Sequence, residues 1–409
     1  MIELLLAPQG AGTLAAALEG LRRTRRMAPF DPASTTLVSG VAGRLLADPA
    51  SKALPDLVAF AYWMRRTRIE TLRKGFLGEM AGDIAAARGT VLHYAPSNVD
   101  TIFAYSWLLS VLAGNANLVR VSRRRDRTAE MLLGHFQEAL RDPACSAIRE
   151  RTLVVSFDHD EEVNRLLSAS CDLRVIWGGD ETIRSIREAP LAPSATDLVF
   201  PDRFSLAAFS AGAFLAMDAA AWERLTHDFA NDVLTYGQMA CSSPRFIAWI
   251  GPAEARRRAK ALFWEKFLEA VRKRDASEWS QPVSSRFTAA CRAVLHASTV
   301  SADVGLETPV TIVEIGRLTP ELRELHPGGA CFFESDYEAL AELGPDLVPK
   351  DQTLVCHGFT RGELTEFAAS LPFGGADRIV PVGSALQFSH IWDGQDLLHA
   401  FTRRISLAV

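Results

Sequence analysis

Four short apolar runs, at 90–95, 117–121, 152–157 and 173–177, alternate with helix-like segments near 100–113, 127–140, 160–169 and 181–188. This alternation constrains the fold more than any other feature of the chain. A strand that is apolar on both faces must be covered on both, and helices joining successive parallel strands supply that cover. The expectation is a doubly wound α/β sheet. A second set follows, with strand-like runs at 204–209, 245–250 and 309–315 and helix-like segments near 219–236 and 252–273. Two α/β units account for both sets. Ahead of them, Leu54, Leu57, Val58 and Ala61 stand at helical spacing and predict one amphipathic helix over 54–72.

Charge and cysteine usage narrow the function. A net charge of −5 lacks the basic surplus that phosphate-backbone binding demands, so nucleic acid is not expected as a partner. Of the 44 basic residues only six are lysine, a bias that looks like a GC-rich bacterial genome, so a single arginine carries little weight. Cys145, Cys171, Cys241, Cys291, Cys331 and Cys356 form no CxxC pair, and the histidines show no ligand spacing. Neither a metal site nor a disulfide framework is expected, and the compartment expected is the reducing cytoplasm. The opening MIELLLAPQG carries Glu3 and no basic n-region, so it makes a poor secretory signal. The longest apolar run, Leu206–Met217, is too short to span a bilayer, and no membrane span is expected.

Two segments suggest chemistry. Gly10-Ala11-Gly12-Thr13-Leu14-Ala15, with Asp31 19 residues after Gly12, matches a dinucleotide-binding fingerprint on paper. The stretch leading to Asp31 contains Arg22, Arg23, Arg25 and Arg26, where the fingerprint requires a second buried strand. It therefore reads as a glycine-rich turn. In Tyr236-Gly237-Gln238-Met239-Ala240-Cys241-Ser242-Ser243-Pro244-Arg245 a helix is expected to end at Gly237 and a strand to begin after Pro244. That leaves Cys241 on a tight connector, where a thiolate can meet substrate; a small core residue is the other reading of a lone cysteine.

Gln-x-x-Cys after a helix, with Pro96-Ser97-Asn98-Val99 and Gly114-Asn115-Ala116-Asn117-Leu118-Val119-Arg120-Val121-Ser122 upstream, resembles the aldehyde dehydrogenase superfamily. The ordered blocks from His93 to Thr101, Trp177-Gly178-Gly179-Asp180, Asp202-Arg203-Phe204-Ser205, Cys241-Ser242-Ser243-Pro244 and Asp377-Arg378-Ile379-Val380-Pro381 resemble the LuxC-type fatty acyl-CoA reductases within it. The resemblance implies an aldehyde dehydrogenase-like α/β fold with two doubly wound domains and a small C-terminal oligomerisation element. Residues 1–203 would form the N-terminal region and nicotinamide cofactor-binding domain, and 204–375 the catalytic domain with the cysteine. Residues 376–409 would return to the cofactor domain and end in an oligomerisation strand.

The resemblance also implies an activity: NADPH-dependent reduction of fatty acyl thioesters to aldehydes through a thioester on Cys241. Asn98 would hold the oxyanion together with the Cys241 N–H. Arg120 would contact the adenosine ribose, with Ser122 beside it. Arg123 stands where NAD-preferring members often carry an acid and would welcome a 2'-phosphate. Gly178 and Gly179 would admit a pyrophosphate to the start of the next helix. The other readings are a solvated basic helix start for the arginine run, and a structural Gly-Gly turn with Asp180 as helix N-cap. Hydrolysing members keep a glutamate where this chain reads Phe204-Ser205-Leu206-Ala207-Ala208-Phe209, which implies no activation of water. His93 and the adjacent Cys356-His357 are given no catalytic role, since neighbours on a strand face opposite ways.

The acyl group would arrive on CoA, on a carrier protein or from an acyl-transferring partner enzyme. Two alternatives are a CoA-acylating aldehyde dehydrogenase acting on short aldehydes and a cysteine acyl-transfer protein without redox activity. Alternation at Ile405, Leu407 and Val409 predicts a terminal strand with one apolar face and no following element to cover it. By resemblance that strand would pair with a neighbouring subunit in a homodimer or homotetramer.

Overall fold

The computed structural model describes residues 2–80, 82–95, 101–275, 281–296, 299–303, 309–372 and 374–408. Its first strands are β1 (Glu3–Leu6), β2 (Ile84–Ala87), β3 (Thr90–Tyr94), β4 (Ala116–Val121), β5 (Thr152–Ser156), β6 (Leu173–Trp177) and β7 (Thr196–Phe200). Then come β8 (Phe204–Ser210), β9 (Pro244–Ile250), β10 (Thr299–Asp303), β11 (Thr311–Ile315), β12 (Cys331–Tyr337), β13 (Asp351–His357) and β14 (Arg378–Pro381). The last are β15 (Ile391–Trp392), β16 (Gln395–Asp396) and β17 (Thr402–Ile405). The chain divides into unit 1, Met1–Pro201 with Phe388–Val409, and unit 2, Asp202–Gln387.

Unit 1 carries a six-stranded sheet in the order β1-β5-β4-β3-β6-β7, parallel except for β1. The four runs expected from alternation are β3, β4, β5 and β6, and every residue of β3, β5 and β6 is buried. The chain steps outward from β3 to β5 and then returns to lay β6 against β3. This reversal makes a switch point at the carboxyl ends of β3 and β6, where doubly wound sheets hold their ligands.

Two local expectations are corrected, and the reading of Asp31 is borne out. The segment 54–72 is two helices, Pro55–Trp63 and Arg66–Gly78. The first buries Leu57, Phe60 and Ala61; the second buries Ile69 and Phe76, so each follows its own apolar stripe. At the break Arg65 turns extended and lays its guanidinium 3.7 Å from the centre of the Tyr62 ring. Asp31 ends no strand: it caps the helix Pro32–Ala47, accepting from Ala33 N at 2.8 Å, which leaves the glycine turn at 10–12 without a second strand. The terminal strand β17 has an in-chain partner, pairing antiparallel with β2 from Thr402↔Ala87 to Ile405↔Ile84. The partner was hard to read because Ile-Ala-Ala-Ala is short and carries almost no strand signal.

Unit 2 carries a seven-stranded sheet in the order β10-β11-β12-β9-β8-β13-β14, parallel except for β10. Alternate residues of β8 feed opposite cores. Ala207 and Phe209 pack with Trp249, Phe263 and Phe332, whereas Leu206 and Ala208 pack with Phe246, Phe333 and Leu354. Each such large side chain contributes roughly 1.5–3 kcal/mol on burial, so this strand is fixed from both faces. No helix among the described residues is long and apolar enough to cross a membrane.

Candidate active site

The helix before Cys241 ends at Leu234, three residues earlier than the sequence suggests, and β9 begins at Pro244. Gly237 and Gln238 then both take left-handed backbone, with φ of +57° and +61°. Two consecutive left-handed residues reverse the chain sharply, and only Gly237 does so without steric cost. Gln238 is held there by its own side chain, which is fully buried. Its Nε2 donates to Pro244 O at 2.9 Å, and its Oε1 accepts from Cys331 N at 3.1 Å.

Further bonds lock the same turn. Ser205 Oγ donates to Cys241 O at 2.6 Å and accepts from Thr353 N at 3.2 Å, joining the starts of β8 and β13 to the Cys241 backbone. Gly329 N donates to Gly237 O at 2.7 Å, and Ser243 Oγ donates to Asp232 O at 2.8 Å. Gly328, at φ +75°, could not carry a side chain: a Cβ there would lie 2.5 Å from Met239 Sδ and 2.9 Å from Gly237 O. Arg245 is buried, donating from Nε to Gln238 O at 3.3 Å and from Nη2 to Met239 O at 3.4 Å. Burial lowers its pKa, but negative charge on Asp202, Cys241 and Glu324 opposes that shift. The guanidinium is thus a positive charge beneath the Cys241 turn, where it favours a thiolate.

The other cysteines differ. Cys145, Cys171, Cys331 and Cys356 are buried, and burial pushes the thiols of the last three up to about 12. Cys291 is exposed on the helix Val283–His296, and Cys241 is partly exposed on its locked turn. Both faces of β8 are filled by apolar packing, so that strand presents no carboxylate to activate water. The blocks Asp202-Arg203 and Asp377-Arg378 also meet in unit 2, through Arg203 Nη2 and Asp377 Oδ2 at 2.5 Å.

Unit 1 gathers the expected cofactor residues along one edge, at the carboxyl ends of β4 and β6. Arg120 Nη2 donates to Phe157 O at 3.1 Å. Ser122 Oγ accepts from Arg124 N at 3.1 Å and, with Ala95, Arg124 and Arg125, lines a crevice. Arg123 pairs with Asp158 at 2.7 Å and keeps 42% of its side chain exposed. Gly178 is packed against Thr182, whereas a Cβ at Gly179 would meet nothing within 4 Å. Asp180 is not the helix cap. Gly179 holds that position and has no side chain to bond the first amides, while Asp180 is the first helical residue and pairs with Arg184 at 3.9 Å. The open backbone of this helix start suits a phosphate; the first-turn charges of Asp180 and Glu181 oppose one.

Asn98 lies outside the described residues. His93 is a core group: its ring nitrogens meet Ser106 Oγ at 2.9 Å and Asn117 Oδ1 at 3.1 Å, and burial lowers its pKa to about 4. Asn115 likewise serves structure, accepting from Gly89 N and donating to Phe401 O. Cys356 faces one core of unit 2, and His357 lies 5.0 Å from the Phe214 ring in the other. Gln238, Arg245 and Ser205 received no role from the sequence. The only signal for the first two was their place in the block around Cys241.

The fold that carries these residues is that of an aldehyde dehydrogenase. A NAD-dependent benzaldehyde dehydrogenase from Corynebacterium glutamicum superposes with a TM-score of 0.65 at 14% identity, covering 99% of this chain and 94% of that one. A Mycobacterium tuberculosis aldehyde dehydrogenase complexed with NAD+ gives 0.64 at 13% identity, covering 95% and 88%. Residues 81–265 match the acyl-CoA reductase (LuxC) family. A long-chain acyl-protein thioester reductase from Aliivibrio fischeri is 27% identical over 170 residues, which are 41% of this chain. The aligned stretch spans a third of that relative's length, 33%.

Proposed function

We propose that this protein reduces fatty acyl thioesters to aldehydes with NADPH, through a covalent thioester on Cys241. The observation that carries the proposal is the turn itself: a partly exposed cysteine, held by buried bonds from several strands, above a buried guanidinium. The Cys241 thiolate attacks the thioester carbonyl, the C–S bond to the incoming carrier breaks, and the departing thiolate takes up a proton. The nicotinamide supplies a hydride to the acyl carbon when bound. Breaking of the Cys241 S–C bond then releases aldehyde and restores the thiolate. Asn98 and the Cys241 N–H are assigned to the oxyanion, where one donor is typically worth roughly 3 kcal/mol. Because β8 offers no carboxylate, the acyl-enzyme is spared hydrolysis.

Arg120, Ser122, Arg123 and the Gly178-Gly179 backbone are assigned to the cofactor, with Arg123 reaching the 2'-phosphate once it leaves Asp158. CoA, a carrier protein or an acylated partner enzyme delivers the acyl group. The β2–β17 ribbon leaves Ile84 and Ile405 exposed, with Leu407 exposed just beyond it, and we assign it to subunit pairing in a homodimer or homotetramer. The apolar β8 equally permits a CoA-acylating aldehyde dehydrogenase working on short aldehydes. Intact-protein mass spectrometry after incubation with acyl-CoAs of graded length, without cofactor, tests the reading. A long-chain acyl adduct on the wild type that is lost in Cys241→Ala supports it, and an adduct that survives the substitution refutes it.

A further inference from the structure

In unit 2 the stretch 325–330 runs from the short helix Pro320–Glu324 into β12 through three consecutive left-handed residues, Gly328, Gly329 and Ala330, at φ +75°, +62° and +61°. Glycine takes that backbone freely, but a residue with a Cβ, such as Ala330, gives up roughly 1–2 kcal/mol there. Something must hold it. His326 spans the stretch: its Nδ1 accepts from Gly328 N at 3.1 Å, and its Nε2 lies 2.6 Å from Cys331 O. A backbone N–H can only donate and a carbonyl can only accept, so the two partners fix the neutral ring with its proton on Nε2. Phe204 and Phe333 meet the ring edge-to-face at 6.3 and 5.6 Å and set its plane. Desolvation, and after it the charge of Arg245, hold the His326 pKa well below the usual 6.5, which keeps Nδ1 able to accept.

We propose that His326 is a positioning residue for Cys241, stapling the left-handed turn Gly328–Ala330 so that the amides of this stretch hold the turn that carries the nucleophile. The inference rests on the reading of Cys241 as that nucleophile. Two left-handed turns are bonded to each other here: Gly329 N donates to Gly237 O at 2.7 Å, and Cys331 N donates to Gln238 Oε1 at 3.1 Å. Gly237 and Gln238 are the residues that reverse the chain into Cys241. On its other side the stretch is tied to β11, where Thr311 N donates to Ala330 O at 2.9 Å, so it is the Gly328–Gly329 arm that depends on His326. Without the ring, Gly328 N loses its acceptor and that arm can relax, which draws Gly329 N away from Gly237 O. The displacement reaches the thiol although His326 touches no substrate. The sequence gave His326 no role, because its own partners are local while Gln238, which the stretch serves, is 93 positions from Cys331.

Alkylation of the full-length protein by iodoacetamide at neutral pH, followed by peptide mapping, tests this without thioester or cofactor chemistry. Cys291, exposed in the same unit, is the internal reference. His326→Leu offers neither bond and should slow modification of Cys241 relative to Cys291 by at least about fivefold, because the thiol leaves its place above the Arg245 guanidinium. His326→Asn puts an amide oxygen near the Nδ1 position and His326→Gln an amide nitrogen near Nε2, so each restores one bond and should recover part of the rate. If His326→Leu fails to fold, slowing by about twofold or more in both single-bond variants carries the same conclusion. Acylation of Cys241 by a long-chain acyl-CoA, followed by intact-protein mass spectrometry, should slow in the same order while NADPH affinity stays unchanged. A Cys241 to Cys291 ratio that holds its wild-type value or rises in every variant would overturn the positioning role. Wild-type protein that alkylates at Cys241 yet takes no acyl group would overturn the nucleophile reading instead, and the alkylation ratio would still decide His326.

Discussion

Cys241 is placed by buried hydrogen bonds drawn from the starts of β8, β9 and β12, whereas Arg123 reaches its edge of unit 1 on a side chain 42% exposed and paired with Asp158. The first region sits at the amino ends of its strands and the second at the carboxyl ends of β4 and β6. The nucleophile proposed at Cys241 must meet one carbonyl carbon within a few tenths of an ångström, which rigid backbone would achieve at the cost of a left-handed Gln238. A cofactor phosphate tolerates a flexible charged arm that exchanges one anion for another. The difference teaches where substitutions should act all-or-none and where they should act by degrees.

The sharpest break is Cys241→Ser, which should lower thioester reduction by at least about four orders of magnitude while cofactor binding by titration calorimetry is unchanged. Retained turnover would remove the contrast at its root. Next is Gln238→Ala, which leaves Pro244 O and Cys331 N unpaired in the interior. A loss of roughly 2–4 kcal/mol in denaturant unfolding is expected, with turnover falling further than stability alone requires. Gln238→Gly removes the same bonds but relieves the left-handed strain, so it should be less damaging by about 1 kcal/mol.

In unit 1, Arg123→Glu should shift the ratio of kcat/KM for NADPH over NADH by at least about tenfold toward NADH, leaving the acyl adduct unaffected. An unchanged ratio would make the arginine run a solvated surface. The effect that leaves turnover aside is on the pH dependence of stability. Burial raises the Asp232 carboxyl to about 7, against 3.8 for an ordinary aspartate, although Gly383 N and Ala385 N donate to it. Between those values the folded chain keeps a proton that the unfolded chain has lost. Its contribution is therefore present at low pH and fades as pH rises toward 7, with a slope of at most about 1.4 kcal/mol per pH unit. His93, lowered from 6.5 to about 4, acts in the opposite sense: its contribution is full above 6.5 and fades toward pH 4. Asp232→Asn should flatten the first slope alone in unfolding titrations; an unchanged pH profile would show that Asp232 is ionised in the fold.

Legibility divides along the same line. Strands β3 to β6, β8 and β9 fall within one or two residues of their apolar runs, because a strand buried on both faces is apolar along nearly its whole length. The break at Met64–Arg65 leaves no mark in the sequence, because Leu57, Phe60 and Ala61 on one side and Ile69 on the other fit a single helical period. Asp180 has a side chain that suits a helix cap, yet the backbone gives that position to Gly179.

By itself the sequence determined the alternating α/β architecture, the short connector that carries Cys241, and the ordered motif blocks that resemble the LuxC-type reductases. These depend on local composition and on spacing along the chain, both of which are written in the residues. Only the tertiary structure decided that Gln238 bonds Cys331, 93 positions away, as well as Pro244, that Asp158 occupies Arg123, that β17 finds β2, and that Glu79 faces His399. Each of those contacts joins groups whose side chains are ordinary for their own segments. A polar atom carries no mark of its partner until folding removes the water that would otherwise satisfy it.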